Sequence, residues 1–199
     1  MKELKVKIIF AEDVLGTASA NEQLHDTYIA SKAPDAPSRE EEVEALGIEA
    51  VVENGMTVFP RELVEGKSVP ILWDYQIKGF FKDAAGMLKK VSGTKSSAIK
   101  AHKKAIDGLL FVEPRRIPIS LSGKMGECQR PLRAQTAQGE RIAIAHSETV
   151  PAGSSIEITV KCLDESLVPA VQEWLDYGSL RGIGQWRNSG KGRFSYEVV

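Results

Sequence analysis

Residues 181–193 gather four cations, four glycines and a tryptophan with no carboxylate among them: Arg181, Gly182, Gly184, Trp186, Arg187, Gly190, Lys191, Gly192 and Arg193. Glycine carries no side chain and tolerates positive φ, so its backbone amides can approach an anion closely. Arginine and lysine supply the charge and the donors that phosphate oxygens accept. A tryptophan face stacks on an unpaired base, an interaction worth about 1–3 kcal/mol per base. The chemistry indicated is a grip on a polyanion, not bond making. The spacing matches neither GxxxxGK[ST] nor GxGxxG, which argues against a nucleotide-hydrolysis loop. The ordinary alternative is a loop that needs glycines for its turns, with solvated cations and Trp186 in the core.

A second basic group lies between Glu113 and Arg141. It holds Arg115, Arg116, Lys124, Arg130, Arg133 and Arg141 against Glu113, Glu127 and Glu140. A solvated hairpin accounts for it equally well. The histidines are His25, His102 and His146. His25 adjoins Asp26, a pairing that suits a turn as well as a proton transfer. His102 sits among lysines, and both it and His146 fit a structural place or a phosphate contact. No Ser/His/Asp set and no carboxylate pair has support from spacing, so no catalytic residue is assigned. Cys128 and Cys162 lie in no CxxC or Cys/His cluster, and neither a metal nor a cofactor is expected.

These residues need a scaffold. Leu4–Phe10 alternates apolar and basic and reads as a strand with one buried face. Ile77, Phe81, Ala84, Ala85 and Leu88 fall on one face of a helix that begins near Trp73. A second, lysine-rich helix is expected over 96–107. Strands are expected over 109–112, 117–121, 141–145 and 155–162, with 122–140 a loop or hairpin tip. Asp164 or Ser166 caps a helix bearing Leu167, Val171, Trp174 and Leu175, with Pro169 tolerated in its first turn. A closing strand covers 193–198. The skeleton is β-α-β-β-α-β, the ferredoxin-like plan shared by RNA-recognition motifs, in an α+β protein.

Residues 11–67 interrupt that plan. Between Asp35 and Glu65 nine acids face two arginines, so the segment is an acidic insertion. It reads as a solvated helix, as a docking surface for a basic neighbour, or as a screen over a basic groove. The chain of 199 residues is expected to form a single domain, with 113–147 as a hairpin region. Its net charge of −1 gives no global pull on nucleic acid. No apolar run approaches a membrane span and the opening MKELKVKIIF is too short for a signal core, so a cytoplasmic protein with no membrane partner is expected.

Three segments resemble the RAMP superfamily, the RNA-binding proteins of CRISPR effector complexes, and within it the backbone subunits that line a guide RNA. SVPILWDYQIKGFFKDAAG, 68–86, is similar to the family's strand-to-helix turn, with Ile77, Lys78 and Gly79 in place and Asp74-Tyr75-Gln76 where Pro-Gly-Ser is usual. Glu148, Pro151, Gly153 and Ile156 match an E-x-x-P-x-G-x-x-F/I start to a strand. GIGQWRNSGKGRF, 182–194, is similar to the family's glycine-rich loop. The resemblance implies a ferredoxin-like core with a long insertion after the first strand and a β-hairpin thumb. It adds Lys78 to the RNA-binding candidates. Asp26 matches an aspartate of target-cutting relatives by region only.

The expected function is a non-catalytic RNA-binding subunit. Its partners would be single-stranded guide or repeat RNA, and other effector subunits or copies of itself. Two alternatives stand beside it: a metal-independent repeat endoribonuclease using His25 or His146, and a protein that imitates a backbone subunit and engages effector proteins as an inhibitor.

Overall fold

The computed structural model describes residues 1–19, 55–136 and 139–199, and the backbone alone for Ser19, 132–136 and 139–143. The described residues group into two compact units. The larger comprises Met1–Val14, Pro60–Met125 and Val150–Val199; the smaller comprises the described parts of Leu15–Phe59 together with Gly126–Thr149.

The larger unit is organised by β1 (Lys2–Phe10), in which Leu4, Val6, Ile8 and Phe10 are buried and Lys5 and Lys7 project from the opposite face. Period-two alternation gives the strand one dry and one wet side. Further along come β2 (Val14–Leu15), β3 (Ala18–Ser19), β4 (Met56–Val58), β5 (Arg61–Val64) and β6 (Lys67–Trp73), then helix α1 (Asp74–Leu88). Helix α2 (His102–Leu109) leads into β7 (Leu110–Glu113) and β8 (Arg116–Pro118). After β9 (Gly126–Thr136) and β10 (Gly139–Val150) follow β11 (Ser155–Cys162), α3 (Val168–Arg181) and β12 (Phe194–Val198).

The main sheet runs β12-β1-β11-β7. Every neighbouring pair is antiparallel, with Val6 opposite both Ile158 and Val198. Numbered among themselves these strands stand 4-1-3-2, the ferredoxin-like order of an α+β fold. Helices α1 and α3 supply the other half of the core. Ile77, Phe80, Phe81, Ala84 and Ala85 of α1, and Ala170, Val171, Trp174 and Leu175 of α3, are buried. Phe81 meets Trp174 at 5.6 Å and Phe80 meets Phe194 edge-on at 5.4 Å. Such pairs add about 0.5–1.5 kcal/mol to the burial of each ring. Gly178 gives Phe194 its place on α3, because a Cβ at that position would overlap the phenyl ring.

A small antiparallel sheet of β5, β6 and β8 sets Trp73 directly opposite Arg116. In the smaller unit β9 and β10 form a long hairpin, from Gly126↔Thr149 to Thr136↔Gly139. Along β10, Ser147 pairs in parallel with Thr57 of β4.

Two local expectations change. The stretch expected as a loop or hairpin tip over 122–140 lies mostly in the strands of the β9–β10 hairpin, because β9 begins at Gly126. Pro131 reads as a breaker, yet among the described residues β9 pairs only with β10, and a proline lacking its N–H is tolerated on an edge strand. The helix expected over 96–107 is a single 3₁₀ turn at Ser96–Ala98 followed by α2, with Ala101 at φ +49 between them. Tertiary contacts account for the break. The Lys95 and Ser96 amides both donate to the Glu173 carboxylate on α3, at 2.7 and 3.0 Å. Asp164 caps the 3₁₀ turn Glu165–Leu167 that leads into α3, its carboxylate accepting the Ser166 amide at 2.9 Å, while α3 itself follows Leu167 without a side-chain cap. Among the described residues no helix is long and apolar enough to cross a membrane.

Candidate nucleic-acid interface

The glycine segment folds back on itself. Helix α3 stops at Arg181, and Gly182 leaves it at φ +77 with its amide on the Gly178 carbonyl. Ile183 N–H donates to the Gly192 carbonyl at 2.9 Å, and Gly192 N–H to the Asp13 carbonyl at 2.9 Å. Between these contacts Arg187–Ser189 forms a 3₁₀ turn closed by Gly190 N–H on the Arg187 carbonyl. Two glycines are demanded by backbone contact. A Cβ on Gly182 would lie 2.5 Å from the Lys191 carbonyl oxygen, and one on Gly192, at φ +73, would overlap the Ile183 carbonyl. The picture of amides turned outward to an anion is therefore corrected at Gly182, Ile183, Gly190 and Gly192, whose N–H groups are spent inside the protein.

The cations find carboxylates that the segment lacks. Arg181 Nε and Arg187 Nη1 both donate to Asp83 Oδ2, at 3.1 and 2.7 Å, and Arg181 Nη1 also donates to Asn188 Oδ1 at 2.8 Å. Lys191 Nζ lies 3.1 Å from Asp13 Oδ2. Arg181, Arg187, Lys191 and Asp83 each keep about a quarter of their side-chain surface in water. Arg193 is exposed, packs its guanidinium over Gly190, and has no carboxylate partner among the described residues. Trp186 stands at φ +54 with 40% of its surface open, so it is not a core residue. Four cations against two carboxylates leave this region positive. Gly184, at φ +87, completes the path of the loop.

The remaining candidates lie around the β6–α1 junction and β7. Lys78 Nζ donates to the Asp107 carbonyl at 3.3 Å and sits 5.3 Å from the centre of the Phe111 ring, so it closes the end of α2. Arg116 Nη1 reaches Glu62 Oε1 at 3.1 Å, and its guanidinium lies 5.6 Å from the Trp73 ring centre. Arg115 is exposed; its carbonyl accepts the Asp74 amide at 3.0 Å. Trp73 in turn stacks on Tyr75, centroids 6.2 Å apart and planes 15° from parallel. Sequence reading gave neither ring a role.

The outer face of the main sheet carries charges of both signs. Lys161 meets Glu113 at 2.6 Å and Glu3 at 3.8 Å, and Lys7 stands opposite Glu157 and Glu197. The bond to Glu113 holds the Lys161 ammonium above its usual range, outweighing partial desolvation. Phe111 is exposed there, with Lys78 Nζ over its ring.

His102 is pushed below the ordinary histidine range, first by burial and then by Lys89 and Lys103, which favours its neutral form. His146 Nε2 lies 2.9 Å from Glu127 Oε2 in the smaller unit, where Arg130 donates to Ser147 Oγ at 3.2 Å. His25, Asp26 and most of the acidic run lie outside the described residues, as do the side chains of Arg133 and Arg141. Lys124 sits just before the hairpin. Among the described residues no cluster of His, Cys, Asp or Glu could hold a metal ion.

No known family model matches this sequence, and no curated protein does. Solved structures do. A chain of a Type IV-B CRISPR complex aligns over 100% of this chain and 90% of its own length, at TM-score 0.51 and 11% identity. A chain from the cryo-EM structure of the Type III-B Cmr-beta complex bound to cognate target RNA aligns over 100% of this chain and 61% of its own, at TM-score 0.51 and 12% identity. Cmr6 from Pyrococcus furiosus aligns over 99% and 98%, at TM-score 0.45 and 11% identity. In fold, over its whole length, this chain is similar to chains of CRISPR complexes.

Proposed function

We propose that this chain is an RNA-binding subunit of a CRISPR ribonucleoprotein, holding guide or repeat RNA through its phosphates beside other effector subunits or copies of itself. The observation that carries this reading is the full-length likeness of fold to chains of two CRISPR complexes, one of them bound to target RNA. The surface chemistry supports it. Arg115 and Arg193 are exposed guanidinium groups without carboxylate partners among the described residues. Arg187 spends one of its five N–H groups on Asp83 and keeps the rest for a phosphate. Arg181, Arg116, Lys78 and Lys191 set the positive field at shorter range. Gly182, Gly184, Gly190 and Gly192 shape the loop that presents these groups, with Trp186 beside them.

The test is binding of labelled single-stranded RNA across a salt series. Affinity falls steeply with salt, and Arg193→Ala and Arg187→Ala weaken all sequences alike. Each lost phosphate contact lowers the log–log slope by about 0.7. Salt-independent binding, or no effect of either variant, overturns the assignment. Cleavage of hairpin RNA in EDTA that disappears in His146→Ala replaces it with the endoribonuclease. Capture of effector subunits without any RNA affinity replaces it with the imitator.

A further inference from the structure

We infer that Trp73 and Tyr75 form a stacking platform for an unpaired base of the bound RNA. This inference rests on the RNA-binding reading and deepens it, from phosphates to bases. Trp73 is the last residue of β6 and the cap of α1, and its amide donates to Gln76 Oε1 at 2.7 Å. The next amide, of Asp74, is tied to the Arg115 carbonyl. Both rings are thus mounted on anchored backbone. They lie 15° from parallel at 6.2 Å, an offset stack, and the Arg116 guanidinium stands 5.6 Å from Trp73. Guanidinium, indole and phenol make a short ladder of planar groups.

The phenol end of that ladder is open. Tyr75 is 62% exposed, and its hydroxyl makes no hydrogen bond among the described residues. A large ring left mostly in water on a rigid turn contributes little burial to the fold. A nucleobase extends such a ladder by one rung, whatever its sequence, because every base has a π-face. Arg115, exposed and one residue from Arg116, supplies charge for the phosphate of the same nucleotide. On the outer face of the main sheet the exposed Phe111 already has Lys78 Nζ 5.3 Å from its ring centre, whereas the face of Tyr75 meets water.

The experiment compares two labelled oligomers of equal length and charge, one of uridine ribonucleotides and one of abasic ribose phosphate, on the full chain. The wild type binds the base-bearing oligomer more tightly. Tyr75→Ala loses about 10-fold for that oligomer and nothing for the abasic one, with the salt slope unchanged, while Tyr75→Phe keeps wild-type affinity. Equal melting temperatures confirm that the exposed position does not disturb the fold. If salt-dependent binding persists but Tyr75→Ala matches the wild type on both oligomers, or loses equally on both, the platform is wrong and the RNA reading stands. If neither oligomer binds in a salt-dependent way, both fall.

Discussion

Arg187 and Asp83 meet at 2.7 Å although 104 positions separate them along the chain. Arg181 reaches the same oxygen. One carboxylate on α1 therefore orients the two arginines that open the glycine segment, and it removes part of their charge from the surface.

Asp83→Asn separates these two effects. Stability falls by about 1.5–3 kcal/mol, because two charge-assisted hydrogen bonds in a partly buried place are weakened. On the proposed function, RNA affinity rises at low salt and the salt slope steepens, because two guanidinium groups gain freedom to meet phosphate. Chemical denaturation and a salt titration of the same preparation read both. A variant that is less stable and also binds more weakly would mean that the arginines need Asp83 to hold them in place.

The glycines of the segment differ in what they tolerate. Gly192→Ala forces a methyl onto the Ile183 carbonyl in a left-handed backbone, and Gly182→Ala does the same against Lys191. Each costs at least about 2 kcal/mol, which for a chain of this size lowers Tm by at least about 4 °C. Gly190→Ala meets only the movable Arg193 guanidinium, so it costs about 1–2 kcal/mol, mostly backbone strain. Thermal unfolding of the three variants should rank them in that order.

Glu173 ties α3 to the turn at Ser96. Its carboxylate accepts the Lys95 and Ser96 amides and the Ser96 hydroxyl, which in turn accepts the Trp174 indole N–H at 2.8 Å. Burial alone would raise its pKa, but those bonds hold it below the ordinary range. A depressed folded value means stability that is full above the ordinary glutamate pKa of about 4.3 and lost as pH falls through the folded one. Glu173→Gln should lower stability by about 1–2 kcal/mol at pH 7 and flatten the acid limb below that point. An unchanged acid limb in the variant would assign acid unfolding to other carboxylates.

Tyr196 gives the opposite limb. Burial first, and then its hydrogen bond to Asp176 at 2.9 Å, push the phenol up to about 12. A raised folded value means stability that is full below the ordinary tyrosine pKa of about 10 and lost as pH climbs towards 12. Tyr196→Phe should remove that loss, seen by denaturation at pH 9, 10.5 and 12.

The skeleton could be read in advance because its signals are local. Alternation in β1 and β11 and the apolar faces of α1 and α3 name the buried side before any contact is known. The glycine segment shows where that stops. Its lack of acids was real, but Asp83 and Asp13 arrive from other elements, and counting charge along a window cannot see them. The same holds for the turn at Ser96, which local lysine-rich pattern places in a helix and Glu173 pulls out of one. The Trp73–Tyr75 stack leaves no local signal: side chains two apart fall on different sides of a strand-to-helix pattern, and only the turn into α1 brings their planes together.

The central position of β1 also sets a timetable. Val6 finds its neighbours at Ile158 and Val198, so this strand must wait for residues far along the chain before either edge is covered. During synthesis on a ribosome its apolar side and its backbone donors stay open, an interval in which holding chaperones, or a cognate partner assembling as the chain emerges, would guard it against pairing with a stranger.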